Sequence, residues 1–331
     1  MPQNYNISGN TDVGLVRKEN EDFLHIDNSN QVFAVCDGMG GHQAGEVASM
    51  TASEMMKIAF AQFSDELLKD DALSLEKSLP SSGDILVKSI RLANRAIYQK
   101  ALMDTEMHGM GTTVVALVLE KDMLSIAHVG DSRAYRIDEK NLTPLTTDHS
   151  WVAEIQKRQN LSEEEASSMV GKNIITRALG VREQVEVDYR MIKVKTGEKY
   201  LLCSDGLCGY ADDEDIFNCL KPAVDDNDKI VNNLISMAND RGGSDNVTII
   251  VLEIVEVEES IEPEVDLITF PLEDDNLLDH EDRWINKFAD IMIQQTADDT
   301  KTTQTNKYKM IAIFSIFIIL AAFIIYISIG N

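Results

Sequence analysis

The chain has 331 residues, 44% hydrophobic and 26% charged, which is enough apolar material for a sizeable core and excludes a wholly disordered or collagen-like chain. Its 56 acidic against 30 basic residues leave a formal charge of −26, which argues against nucleic-acid binding and against adhesion to anionic lipid. The four cysteines (Cys36, Cys203, Cys208 and Cys219) form no Cys-x-x-Cys pair, and no N-terminal signal peptide is evident. The expectation is a reducing cytosolic compartment, with neither disulfides nor structural zinc.

In chain order, the β-branched runs at 31–36, 112–119, 123–129, 199–204 and 246–254 predict strands. Apolar residues at helical spacing predict helices over 44–63, 83–103 and 227–239. Two helices in succession, then a strand pair turning at Lys121-Asp122, suit antiparallel sheet with segregated helices. Residues 64–84 read as a polar surface excursion between the first two helices. Beyond residue 254 the character changes: 255–306 carry 15 acidic and 3 basic residues, a net charge of −12. The expected organisation is a globular body over 1–254 and an acidic linker over 255–309. Within that linker Trp284, Ile285, Phe288, Ile291 and Met292 fall at helical spacing, a short helix lying on the body or on a membrane. Residues 310–329 follow without a charge, and at about 1.5 Å rise each they would span about 30 Å, a bilayer core. They predict a transmembrane helix. Lys307 and Lys309 precede it and no charge follows, so the body is expected on the cytoplasmic side of a tail anchor.

Aspartate and glycine gather where strands end. Asp37-Gly38-Met39-Gly40-Gly41-His42 follows the first strand, Gly130-Asp131-Ser132-Arg133 follows another, Ser204-Asp205-Gly206 a third, and Gly243-Ser244-Asp245-Asn246 precedes the last. The Asp37 motif alone reads equally as a tight turn or a metal site, and each of the other aspartates alone reads more readily as a turn residue or cap than as a ligand. Four of them at sheet ends favour hard oxygen ligation of Mg²⁺ or Mn²⁺ over zinc. Arg17 beside Asn20-Glu21-Asp22 is either a salt-bridge partner or a fork for phosphate.

In order along residues 8–254, these motifs resemble the metal-dependent protein phosphatases, the type 2C serine/threonine phosphatases in their bacterial form. Thr11-Asp12-Val13-Gly14, Ala44-Gly45-Glu46, Gly111-Thr112-Thr113, Leu145-Thr146-Thr147-Asp148-His149-Ser150 and Ile175-Thr176-Arg177-Ala178-Leu179-Gly180 complete the series. The resemblance implies an α+β fold, a four-layer α-β-β-α sandwich of two antiparallel sheets flanked by helices. It implies two Mn²⁺ or Mg²⁺ ions, bridged by Asp37 and held by the Gly38 carbonyl, Asp205 and Asp245. Glu21 and Asp22 would hold or orient waters on the ions, and Asp131 would help bind a third, weaker ion. The implied reaction is in-line attack on phosphorus by water activated between the ions, with Arg17 on the phosphoryl oxygens and His42 as general acid. Phosphoserine and phosphothreonine proteins, products of a serine/threonine kinase, would be the substrates. The rival from another class is a catalytically inactive, membrane-bound phosphopeptide adaptor, which should have lost metal-binding acids that this chain keeps. The chain departs from bacterial relatives at Met169-Val170-Gly171-Lys172-Asn173, where His-Pro-x-Arg-Asn is common, in a flap over about 149–172 that borders the active site in the family.

Overall fold

A computed structural model describes residues 4–41, 43–62, 79–138, 140–170, 174–220, 226–258, 260 and 263–270. Its strands are β1 (Tyr5–Asp12), β2 (Asp22–Asp27), β3 (Val32–Met39), β4 (Gly111–Thr112), β5 (Val114–Glu120), β6 (Met123–Val129), β7 (Arg133–Ile137), β8 (Leu142–Pro144), β9 (Val187–Lys193), β10 (Lys199–Cys203), β11 (Val247–Ile254) and β12 (Val265–Phe270). The helices are α1 (Ala44–Gln62), α2 (Ser81–Met103), α3 (Trp151–Gln159), α4 (Glu163–Val170), α5 (Asp205–Cys208), α6 (Asp213–Leu220) and α7 (Asn227–Asp240).

Successive side chains of a strand point to opposite faces, and in β3 both faces are apolar. Phe33 and Val35 join one buried layer, with Leu117, Ile126, Leu202, Ile250 and Leu252. Val32, Ala34 and Cys36 join another, closed by Ala48, Met55 and Met56 of α1 and Ile90 and Ile97 of α2. Strand β11 repeats the pattern: Ile250 and Leu252 face β3, while Ile249 and Val251 meet Ile216 of α6 and Leu234 of α7. Three apolar layers therefore separate four structural ones, helices on sheet on sheet on helices. One sheet runs β1-β11-β10-β7-β8, the other β12-β9-β6-β5-β3-β2 with β4 on β3, and every pairing is antiparallel.

The apolar runs expected as strands are strands, and the two-residue turn at Lys121-Asp122 joins β5 to β6, with Lys121 at φ 58°. Strands β1, β2, β9 and β12 are further elements; β1, β2 and β12 are sheet edges, where polar residues replace an apolar run. Strand β12 corrects the expected boundary at residue 254. It pairs with β9 inside the stretch read as linker, Phe270 is buried with its ring edge-on to Tyr189 at 6.3 Å, and Thr269 Oγ1 donates to Asp188 at 2.8 Å. The acidic residues around this short strand mask its apolar positions. Residues 81–84 are likewise the first turn of α2, not part of an excursion. The expected helices at 283–295 and 310–329 lie outside the described residues; among the described ones, no helix is long and apolar enough to cross a membrane.

Candidate metal centre and active site

The sandwich collects strand ends around one cleft. Asp37 sits near the end of β3, paired in register with Asp22 of β2. Its backbone is pinned by two neighbours: Thr113 N and Thr112 Oγ1 donate to the Asp37 carbonyl at 2.8 and 2.9 Å, and Asp37 N donates to Thr113 Oγ1 at 3.1 Å. That is the structural work of Gly111-Thr112-Thr113. Gly38 packs so closely that a Cβ would lie 2.2 Å from the Gly45 carbonyl oxygen and 2.4 Å from that of Glu21. Only glycine lets the start of α1 close over the end of β3 here.

The opposite lip is the loop after β1. Gly14, at φ 78°, would place a Cβ 2.3 Å from the Asp245 carbonyl oxygen, so this loop lies against the turn that enters β11. Asn246 clasps it from below, donating from Nδ2 to the carbonyls of Val13 and Glu19 at 3.0 Å each and accepting the Glu21 N–H at 2.8 Å. Arg17, at the lip, sets Nη2 2.9 Å from Asp245 Oδ2, with its side chain 47% exposed. Asp205 opens α5 directly after β10. Asp131 occupies the β6–β7 turn.

Asp37, Asp131, Asp205, Asp245 and Glu21 line a single open cleft of about 1030 Å³, together with Gly38 and Arg17. Burial, and then the charges of Asp22, Asp205 and Asp131, push the Asp37 carboxyl well above the usual carboxylate range. Burial and the charge of Asp245 raise Asp205, and burial followed by Asp205 pushes Asp131 up to about 7. Asp131 Oδ1 is buried with no hydrogen-bond partner among the described residues. Crowded carboxylates that suppress one another's ionisation, one with an orphaned oxygen, are a donor set of hard oxygens suited to divalent cations. The residues present fit such ions.

Two expected site residues stand apart. Asp22 does not line the cleft; its Oδ2 accepts from Ser204 Oγ at 2.8 Å, and Ser204 Oγ accepts Thr248 N at 3.0 Å. Burial carries Asp22 to about 7 despite bonds from Thr248 and Ser204. His42 lies outside the described residues.

A profile of the protein phosphatase 2C family matches residues 16–241. The chain belongs to the protein phosphatase 2C family. It is 36% identical over 247 residues to the serine/threonine phosphatase stp of Listeria welshimeri, covering 73% of this chain and 93% of that protein. The crystal structure of the Mycobacterium tuberculosis serine/threonine phosphatase PstP/Ppp superposes with a TM-score of 0.64 at 33% identity, over 76% of this chain and 99% of the other. The catalytic domain of PstP in complex with 2 manganese ions superposes with a TM-score of 0.61 at 34% identity, over 76% and 99% of the two chains. The protein is a serine/threonine phosphatase of this type.

Around the phosphatase cleft the structure adds residues whose roles the motifs did not disclose. Asn246 is one. Arg177 is another: it lines the cleft yet gives its guanidinium to Asp188 Oδ1 at 2.8 Å and Glu186 Oε2 at 2.9 Å, with Nη1 also 2.9 Å from His149 Nε2. His128, His149 and Asp188 bring potential ligand atoms within 4.8 Å of one another. The Arg177 guanidinium among them makes this an ion-paired hub rather than a cation site, with the two imidazoles stacked at 4.6 Å. Arg133 forms a bidentate pair with Asp148 at 2.8 and 2.7 Å, securing the approach to the flap.

Proposed function

We propose that this phosphatase hydrolyses phosphoserine and phosphothreonine in proteins with two Mn²⁺ or Mg²⁺ ions, and that residues 310–329 tether it to a membrane with the body on the cytoplasmic side. The observation carrying the metal assignment is the convergence of Asp37, Asp205 and Asp245 with the unpartnered Asp131 oxygen in one cleft. Asp37, the Gly38 carbonyl, Asp205 and Asp245 would hold the two principal ions, with Asp37 as the carboxylate they would share. Asp131 would serve a third ion, Glu21 would orient water from the cleft wall, and Asp22 would act from behind through Ser204.

Bound ions would supply an ionised water at neutral pH and positive charge for the phosphoryl oxygens. The chain's own residues do the rest. Arg17, exposed at the lip, forks onto phosphoryl oxygens and holds the ester in line with the attacking water. The new oxygen–phosphorus bond forms as the bond to the serine or threonine oxygen breaks. His42 is assigned the proton that the departing alkoxide requires. All of the proposed acids are present, which disfavours an inactive adaptor. The tether rests on the uncharged run at 310–329 and its flanking lysines alone.

The full-length protein should hydrolyse a phosphothreonine peptide with Mn²⁺ and lose that activity in excess EDTA; undiminished turnover in the chelator would refute the metal assignment. Fractionation and protease protection test the anchor: the protein should pellet with membranes and its body should be cleaved by protease on the cytoplasmic side.

A further inference from the structure

The reaction cleft continues sideways. Ile175, Thr176, Arg177, Ala178 and Val181 line it, and the same five residues line a second hollow of about 510 Å³, which Trp151 also faces. The two hollows adjoin along this shared wall. That wall is held at its root. Trp151 N donates to the Ile174 carbonyl at 2.9 Å and Thr176 N to the His149 carbonyl at 2.8 Å, while Ser150 bridges to Ile175. Helix α3 is capped there by Ser150, whose side chain accepts Ala153 N. Trp151 therefore stands at a fixed place relative to the cleft.

The hollow carries polar groups as well as apolar ones: Arg182, exposed, and Gln184 stand at it beside the charged residues that pair with one another. Arg177 is consumed by Asp188 and Glu186, and Glu154, also at the hollow, pairs with Arg158 at 3.1 Å. By contrast Trp151 is 42% exposed and Val181 55% exposed, large side chains left facing water at the edge of a functional cleft. A protein substrate is a polymer. With its phosphorylated residue held in the cleft, the flanking chain must leave along some wall, and the shared wall leads to Trp151 and Val181.

We propose that the hollow between Trp151 and Val181 is a substrate subsite that takes a bulky apolar side chain flanking the phosphoserine or phosphothreonine of an extended peptide. This assignment rests on the phosphatase reading above and adds a sequence preference to it. Burying an aliphatic side chain against an exposed indole and a valine gains transfer free energy that an alanine or a charged residue cannot match.

The test uses the full-length protein with Mn²⁺ and phosphothreonine peptides carrying Leu, Ala or Glu at one flanking position at a time, on both sides. At one position Leu should exceed Ala in kcat/KM by about tenfold, chiefly through KM. In Trp151→Ala and in Val181→Ser that Leu/Ala ratio should fall to within about twofold of unity. The ratio is taken within each variant, so partial misfolding cancels. Absence of a Leu preference at every position, a preference for Glu, or a Leu preference that survives both substitutions would overturn the subsite. Mn²⁺-dependent turnover of the panel without such a preference would leave the hydrolytic reading standing and remove only the subsite, whereas no turnover on any peptide would remove both.

Discussion

Arg17 and Asp245 share an ion pair at 2.9 Å, so the residue assigned to phosphate and a residue assigned to metal are directly bonded. Half-exposed, the pair adds little to stability; its consequence is positional. The loop after β1 holds the guanidinium over the carboxylates, where a phosphoryl group bound at the ions would meet it.

Arg17→Ala should therefore lower kcat/KM on a phosphothreonine peptide about 10- to 100-fold, the range for losing a charge-assisted hydrogen bond. Arg17→Lys should restore little, because a point charge cannot replace a planar fork. Steady-state kinetics at saturating Mn²⁺ decides this, and a thermal melt should show the fold unchanged.

Asn246 gives the opposite pattern. It is buried, and its amide satisfies three backbone groups of the lip. Asn246→Ala should cost about 1–3 kcal/mol, since two carbonyls and an N–H of the lip lose their partner. Asn246→Asp should fare no better, having no donor for Val13 and Glu19. The measurement is a denaturant melt, with Mn²⁺ affinity as a second readout that should weaken as the lip loosens.

The pH dependence follows from the raised carboxyls. Asp22 and Asp131, each near 7 in the metal-free protein against 3.8 ordinarily, bind more protons folded than unfolded between those values. Their contribution to stability is present in acid and is lost as pH rises from about 4 through about 7. The metal-free protein should thus lose stability over that range from these groups. An ion held by Asp131 must displace its proton, so the rise in Tm on adding Mn²⁺ should grow between pH 6 and pH 8. Calorimetry at several pH values checks the sign, and Asp131→Asn should flatten the trend.

His42 carries a separate expectation. His42→Ala should lower kcat on a phosphothreonine peptide, whose alkoxide needs a proton, more than on p-nitrophenyl phosphate, whose leaving group does not. Equal losses on the two substrates would remove His42 from the acid role.

Much of this architecture is legible in the sequence. Strands buried on both faces, such as 112–119 and 246–254, announce themselves as unbroken apolar runs, and the aspartates that follow or precede them mark the cleft. What the sequence hides is physical in origin. β1 and β2 are edge strands with polar, half-exposed faces, and Thr11 and Asn20 serve hydrogen bonds rather than a core. β12 hides among acidic neighbours, so net charge places a boundary where the sheet continues. Asp22 belongs to a motif with Glu21, but alternation along the strand turns it inward to Ser204 while Glu21 lines the cleft. Asn246 reaches the Val13 carbonyl 233 residues away, and Arg177 pairs with Asp188 11 residues on; neither link leaves a local pattern.

The central claim is that Asp37 bridges two ions in this cleft, and the number of Mn²⁺ bound per chain measures it most directly. Equilibrium dialysis of the full-length protein should find at least two Mn²⁺ per chain, and Asp37→Asn should bind fewer than one under the same conditions. An Asp37→Asn protein that folds and retains the wild-type stoichiometry would contradict the account.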